Sequence, residues 1–183
     1  MKHVPNTLTI IRFLLIPLLC YFTIEKQYVT ALVIFLIAGF TDIADGFIAR
    51  KFKVESDFGK LMDPLADKLV QISMILILTI QGVIPMFVIL ILTVKEICLI
   101  LGATFLYEKN VVVTSNWYGK LSTILLHIVI ILTIIFSILE QDNKLLLHIA
   151  IGIALISTIF SLVMYSKNFL AVRAKRDTDK LSL

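Results

Sequence analysis

Charge is scarce in this chain: Asp, Glu, Lys and Arg make up 16% of its 183 residues, against roughly 25% in an ordinary soluble domain. Together with 59% hydrophobic content, that scarcity excludes a soluble globular fold and points to an integral membrane protein. Cysteine is nearly absent. Cys20 and Cys98 both fall in apolar runs without C-x-x-C spacing, which leaves them as small apolar fillers. No internal repeat, low-complexity tract or long linker interrupts the pattern, so residues 1–183 read as a single membrane domain. The net charge of +4 lacks an aromatic-interleaved basic patch, which argues against nucleic acid and for contact with anionic lipid headgroups.

What is present is a series of apolar stretches close to the ~20 residues that cross a hydrocarbon core as a helix. Six are placed at 8–24, 29–49, 62–81, 83–106, 118–139 and 145–166, giving an all-α membrane protein with six transmembrane helices. The first has flanking charges at Lys2 and Arg12 but no small-residue cleavage pattern after Pro17, and is read as a retained helix rather than a signal peptide. Lys26 and Lys144 are the only basic residues in the connections on one side. Lys2, Arg50, Lys51, Lys53, Lys60, Lys109 and the 167–180 tail lie on the other, so both termini are expected in the cytoplasm. Gln81-Gly82 and the Glu140 to Lys144 stretch read as short turns on the outer side. The tail, with Arg173, Lys175 and Arg176 among Phe169, Leu170 and Val172, reads as a frayed helix end with solvated charges, or as a segment along the inner headgroup layer.

Into this apolar background the chain writes D-x2-D-G-x2-A-R-x8-G-x3-D-x3-D between Asp42 and Asp67. One isolated charge at bilayer depth costs at least ~2.5–3.5 kcal/mol, so four aspartates need a compensating partner, and divalent cations are the natural candidate. On a helix Asp42, Asp45, Gly46 and Ala49 share an arc of about 100°, with Arg50 just past its edge. Asp63 and Asp67 stack one turn apart at the start of the next span, so two helices can direct four carboxylates into one cleft. Oxygen ligands without histidine or cysteine suit Mg²⁺, Mn²⁺ or Ca²⁺ rather than zinc, and four carboxylates suit two ions, or one ion with a substrate phosphate. Gly46, Ala49 and Gly59 leave room for a pyrophosphate or sugar, and Arg50 offers a planar fork to phosphate oxygens. Capping is the competing explanation for single residues: Asp63-Pro64 resembles an N-cap with proline at N1, and Asp42 could cap a turn. A cation pathway is a remote alternative for the set, but would not need Gly46, Ala49, Arg50 and Gly59 at these offsets.

Elsewhere the polar residues carry less. Glu55 and Asp57 read as a solvated cytoplasmic connection. Lys95-Glu96 lies inside the fourth span, where neighbours at i and i+1 do not share a helix face, so each is expected to find a separate partner. His127 and His148 read as hydrogen-bonded histidines of apolar helices, and Trp117 and Tyr118 as interfacial anchors.

The Asp42 to Asp67 pattern resembles the signature of the CDP-alcohol phosphotransferases at all eight fixed positions. Pro5-Asn6-x-Leu8-Thr9-x2-Arg12 and Gly119-Lys120 are similar to the phosphatidylglycerophosphate synthase and cardiolipin synthase branches of that family. The resemblance implies a six-helix, multi-pass enzyme of the bacterial cell membrane, a homodimer, with its active site facing the cytoplasm. It would move a phosphatidyl group from CDP-diacylglycerol to an alcohol and release CMP with Mg²⁺ or Mn²⁺. By position, Asp42, Asp45, Asp63 and Asp67 would hold two metal ions, with Asp67 also the general base and Asp63 catalytic. Asp45, Gly46, Ala49, Arg50 and Gly59 would shape the CDP site. Lys120, and beside it Lys95, are the acceptor candidates, with glycerol 3-phosphate the primary acceptor. Glycerophosphate-using relatives tend to carry an arginine where this chain has Gly102-Ala103-Thr104; in lacking it, and in the Phe-Leu-Tyr end of that span, the chain resembles cardiolipin synthases, which use phosphatidylglycerol.

Overall fold

The computed structural model describes the backbone of all but residues 1–3, 53–56, 108–116, 141–143 and 182–183, and the side chains of 10–41, 65–98, 117–140 and 144–167. Among the described residues the chain forms six helices and no strand: α1 Val4–Ile24, α2 Tyr28–Phe52, α3 Asp57–Ile80, α4 Met86–Tyr107, α5 Trp117–Ile138 and α6 Lys144–Leu181. Each expected apolar stretch corresponds to one helix. Two, Trp117–Ile138 and Lys144–Lys167, are long and apolar enough over their described residues to cross a membrane.

Two boundary changes alter the reading. α6 runs on to Leu181 as continuous helix rather than fraying after the apolar stretch, because residues 167–181 contain neither Gly nor Pro and are rich in helix formers. α3 begins at Asp57, which therefore opens a helix instead of lying in a solvated connection, at the end where the helix dipole favours a carboxylate. Glu55 lies outside the described residues. Because α3 starts there, Asp63 and Pro64 fall almost two turns inside it, and Asp63 is not its N-cap.

The helices fall into two compact units. Residues 1–86 and 130–143 form one, residues 87–129 and 144–183 the other, so α5 contributes to both. In the first unit α1 packs on α2 and α3, and α2 touches α3. The buried stripe of α2 is Ala31, Ile34, Phe35 and Ala38, an i, i+3, i+4, i+7 series whose two alanines allow close backbone approach. It is matched by Arg12, Leu19 and Thr23 on α1 and by Ala66, Val70, Met74 and Leu78 on α3. In the second unit Val88, Leu92 and Lys95 of α4, Tyr118, Ser122 and Leu126 of α5, and Ile151, Ala154 and Thr158 of α6 are buried at the same helical spacing. Much of the remaining surface is apolar: Leu14, Phe40, Ile80, Leu145 and Ile156 are all well exposed.

Two of the helix ends close in the same way. At the end of α1, Lys26 N–H donates to Thr23 O at 3.1 Å and Gln27 N–H to Phe22 O at 2.9 Å, with Lys26 left-handed at φ 58°. At the end of α3, Gly82 N–H donates to Thr79 O at 2.9 Å and Val83 N–H to Leu78 O at 3.0 Å, with Gly82 at φ 77°. Both are Schellman closures, which normally place glycine at the left-handed residue. Gln81 then links the two ends, its Nε2 donating to Thr23 O at 2.7 Å while Tyr28 Oη donates to its Oε1 at 3.4 Å. Gly82→Ala therefore lowers stability by about 1–2 kcal/mol, and Lys26→Gly raises it by a similar or smaller amount. Thermal unfolding of both variants in detergent measures the two opposite shifts.

Candidate active site

The aspartate segment is built on two long helices that touch. Asp42 and Asp45 lie within α2, fourteen or more residues past its start at Tyr28, so neither stands at the helix N-terminus where a cap would act. Asp63 and Asp67 lie one turn apart within α3. The helical spacing inferred for both pairs is thus the backbone conformation found, and capping explains none of the four. The side chains of Asp42, Asp45, Gly46, Ala49, Arg50, Gly59 and Asp63 lie outside the described residues.

Asp67 is half-buried. Among the described residues of α3 it lies on one stripe with Gln71, Met74 and Leu78, all essentially buried. Ala66 beside it is fully buried and Lys68 half-buried. The donor set fits a hard divalent cation: four carboxylates, two on each of two contacting helices, with neither histidine nor cysteine among the residues of the segment.

Arg12 is the residue that sequence reasoning undervalued, having treated it as a flanking charge and a motif position. It is 1% exposed on α1, the helix that packs on both aspartate-bearing helices. The available signal was an arginine inside an apolar run, which in a membrane-spanning helix marks an inward-facing group.

The second unit holds the acceptor candidates. Lys95 and Glu96 are 3% and 9% exposed at their side chains, and they pair with each other, Lys95 Nζ standing 3.4 Å from Glu96 Oε1. The expectation of separate partners is therefore corrected: long flexible stems let adjacent residues bend together where burial makes separation costly. Lys95 Nζ also donates to Ser122 Oγ of α5 at 3.1 Å. Lys120 is exposed in the first turn of α5.

His127 Nδ1 is bonded to Thr123 O at 2.9 Å and His148 Nδ1 to Lys144 O, as expected of helix-borne histidines. Trp117 is 67% exposed, consistent with an anchor. Tyr118 is not an anchor: it is 4% exposed, with its ring 4.9 Å from that of Tyr165 and 6.4 Å from that of Phe160. Adjacent aromatic residues on a helix point about 100° apart, so one faces outward and the other into the packing.

Comparison with known proteins bears on what this arrangement does. Residues 2–168 match the family described as CDP-alcohol phosphatidyltransferase. The CDP-diacylglycerol–glycerol-3-phosphate 3-phosphatidyltransferase of Aquifex aeolicus (strain VF5) is 31% identical over 168 residues, covering 90% of this chain and 94% of that protein. The protein of the same name from Bacillus subtilis (strain 168) is 29% identical over 138 residues, covering 67% and 72%. The cardiolipin synthase (CMP-forming) of Homo sapiens is 36% identical over 118 residues, covering 64% of this chain and 39% of that protein.

Proposed function

This chain belongs to the CDP-alcohol phosphatidyltransferase family, and on that premise we propose that it transfers the phosphatidyl group of CDP-diacylglycerol to glycerol 3-phosphate. The products are CMP and phosphatidylglycerophosphate. The observation that carries the acceptor is the similarity to a glycerol-3-phosphate 3-phosphatidyltransferase along 94% of its length.

Asp42, Asp45, Asp63 and Asp67 would hold two Mg²⁺ or Mn²⁺ ions, which when bound supply positive charge to the pyrophosphate oxygens and to the departing CMP. Asp45, Gly46, Ala49, Arg50 and Gly59 shape the CDP site, the small residues admitting the pyrophosphate and Arg50 gripping its oxygens. Asp67 accepts the proton of the acceptor's hydroxyl as that oxygen attacks the phosphatidyl phosphorus, and the bond from phosphorus to the CMP oxygen breaks. Lys120 supplies an ammonium to the phosphate of glycerol 3-phosphate.

Six membrane spans, a multi-pass bacterial membrane protein with both termini cytoplasmic, and an active site on the cytoplasmic side are part of this reading. Its support is physical. The shortest helix, α1 with 21 residues, extends about 31 Å at ~1.5 Å per residue, enough for a ~30 Å hydrocarbon core. The exposed Leu, Ile and Phe side chains suit lipid or a second copy of the chain in a homodimer better than water.

Phosphatidylglycerol is the second acceptor to consider, because the similarity extends to cardiolipin synthases and Gly102-Ala103-Thr104 supplies no further cation. Purified protein given CDP-diacylglycerol, Mg²⁺ or Mn²⁺, and one acceptor at a time separates the two. Phosphatidylglycerophosphate from glycerol 3-phosphate is the expected product; cardiolipin from phosphatidylglycerol alone would replace the acceptor assignment and leave the donor site unchanged.

A further inference from the structure

Four side chains of the second unit converge on one backbone turn, the first of α5. From α4, Lys95 Nζ donates to Ser122 Oγ at 3.1 Å, and Ser122 Oγ donates to Gly119 O at 2.9 Å. Thr123 Oγ1 donates to the same carbonyl at 3.2 Å. From α6, Tyr165 lies against Gly119 so closely that a Cβ there would stand 2.5 Å from Tyr165 Oη and 3.2 and 3.3 Å from two of its ring carbons. The Tyr165 ring is itself held edge-on by Tyr118 at 4.9 Å.

Stability is a weak explanation for this arrangement. A buried ion pair such as Lys95 with Glu96 contributes little net stability compared with apolar packing, while its directional contacts fix geometry. What they fix here is the turn that carries Lys120. That residue is exposed, one position after the glycine on which α6 presses. A flexible lysine loses rotamer freedom when it binds a phosphate, and a base held within about 0.5 Å limits what remains to be ordered.

We propose that Lys95, Ser122, Gly119 and Tyr165 are positioning residues that clamp the first turn of α5 between α4 and α6, so that Lys120 meets the acceptor's phosphate in one orientation. The proposal rests on the reading of Lys120 as the acceptor-binding residue. Gly119 is required because any side chain there would displace Tyr165, and Ser122 because its hydroxyl both accepts from Lys95 and donates to the turn.

The test is steady-state kinetics of the full chain in detergent or nanodiscs, varying glycerol 3-phosphate at saturating CDP-diacylglycerol and then the reverse. Lys120→Ala raises the KM for glycerol 3-phosphate roughly tenfold to a hundredfold, the loss of a charge-assisted bond. Ser122→Ala and Gly119→Ala raise the same KM about three- to tenfold and leave the KM for CDP-diacylglycerol unchanged. Tyr165→Phe placed in the Gly119→Ala background returns the acceptor KM toward that of Tyr165→Phe alone, because it removes the oxygen at 2.5 Å and leaves only the carbons at 3.2 and 3.3 Å. An unchanged acceptor KM in Lys120→Ala would remove the reading of Lys120, and this proposal with it. A raised KM in Lys120→Ala would leave that reading standing; the clamp alone is overturned if Ser122→Ala and Gly119→Ala then have no effect, change both KM values alike, or Tyr165→Phe fails to rescue.

Discussion

Asp67→Asn yields a folded protein that still binds CDP-diacylglycerol and no longer releases CMP at a useful rate. The loss expected from removing a general base is roughly 10²- to 10⁴-fold, and Asp67 is also assigned to the metal set, which places the result at the upper end of that range or beyond it. Asparagine preserves the shape of the side chain but its amide does not take up the hydroxyl proton. The fold survives because Asp67 lies in the helical body of α3, half-exposed, while the packing of that helix is made by Ala66, Val70, Met74 and Leu78. CMP release measured beside CDP-diacylglycerol binding separates chemistry from affinity. Wild-type turnover in the Asn variant would take Asp67 out of the mechanism.

The second large effect concerns the cations. Chelation of divalent ions abolishes turnover of the wild-type protein, and Mg²⁺ or Mn²⁺ restores it. Asp42→Asn and Asp45→Asn each remove one hard oxygen ligand and a negative charge from the set on α2, so both bind Mn²⁺ more weakly and lose turnover, part of which returns at raised metal concentration. Direct Mn²⁺ binding, read by paramagnetic resonance, supplies a measure independent of activity: about two ions per chain in the wild type and fewer in either variant. Unchanged Mn²⁺ binding in both variants would dismiss these residues as ligands.

The positions of the six helices were legible because each is an apolar stretch bounded by polar or turn-forming residues, and Gln81-Gly82 marked its turn through the one glycine whose left-handed φ the closure of α3 uses. The aspartate segment was legible for a different reason. Carboxylates in apolar sequence conflict with their surroundings, and such conflicts mark function more sharply than they mark structure. What stayed hidden depends on contacts distant in sequence or on side-chain reach. Tyr118 and Trp117 look alike as neighbours at a helix start, yet one is buried against Tyr165 and Phe160. Lys95 and Glu96 were expected to part, and helical geometry alone would part them; their stems are long enough to bring the charges together. Gly119 gave no local sign that a tyrosine forty-six residues later occupies the space of its missing Cβ. The extension of α6 was open to reading from the absence of Gly and Pro in residues 167–181, but the run of charges after Lys167 drew attention to solvation instead of backbone conformation.

The most direct measurement is CMP release from CDP-diacylglycerol in the presence of glycerol 3-phosphate and Mg²⁺ or Mn²⁺, by purified wild-type protein and by a variant with Asp42, Asp45, Asp63 and Asp67 all replaced by Asn. The wild type should release CMP only when both the cation and the acceptor are present, and the fourfold variant should release none above background. Release by the variant at the wild-type rate would contradict the assignment of these four aspartates as the seat of the reaction.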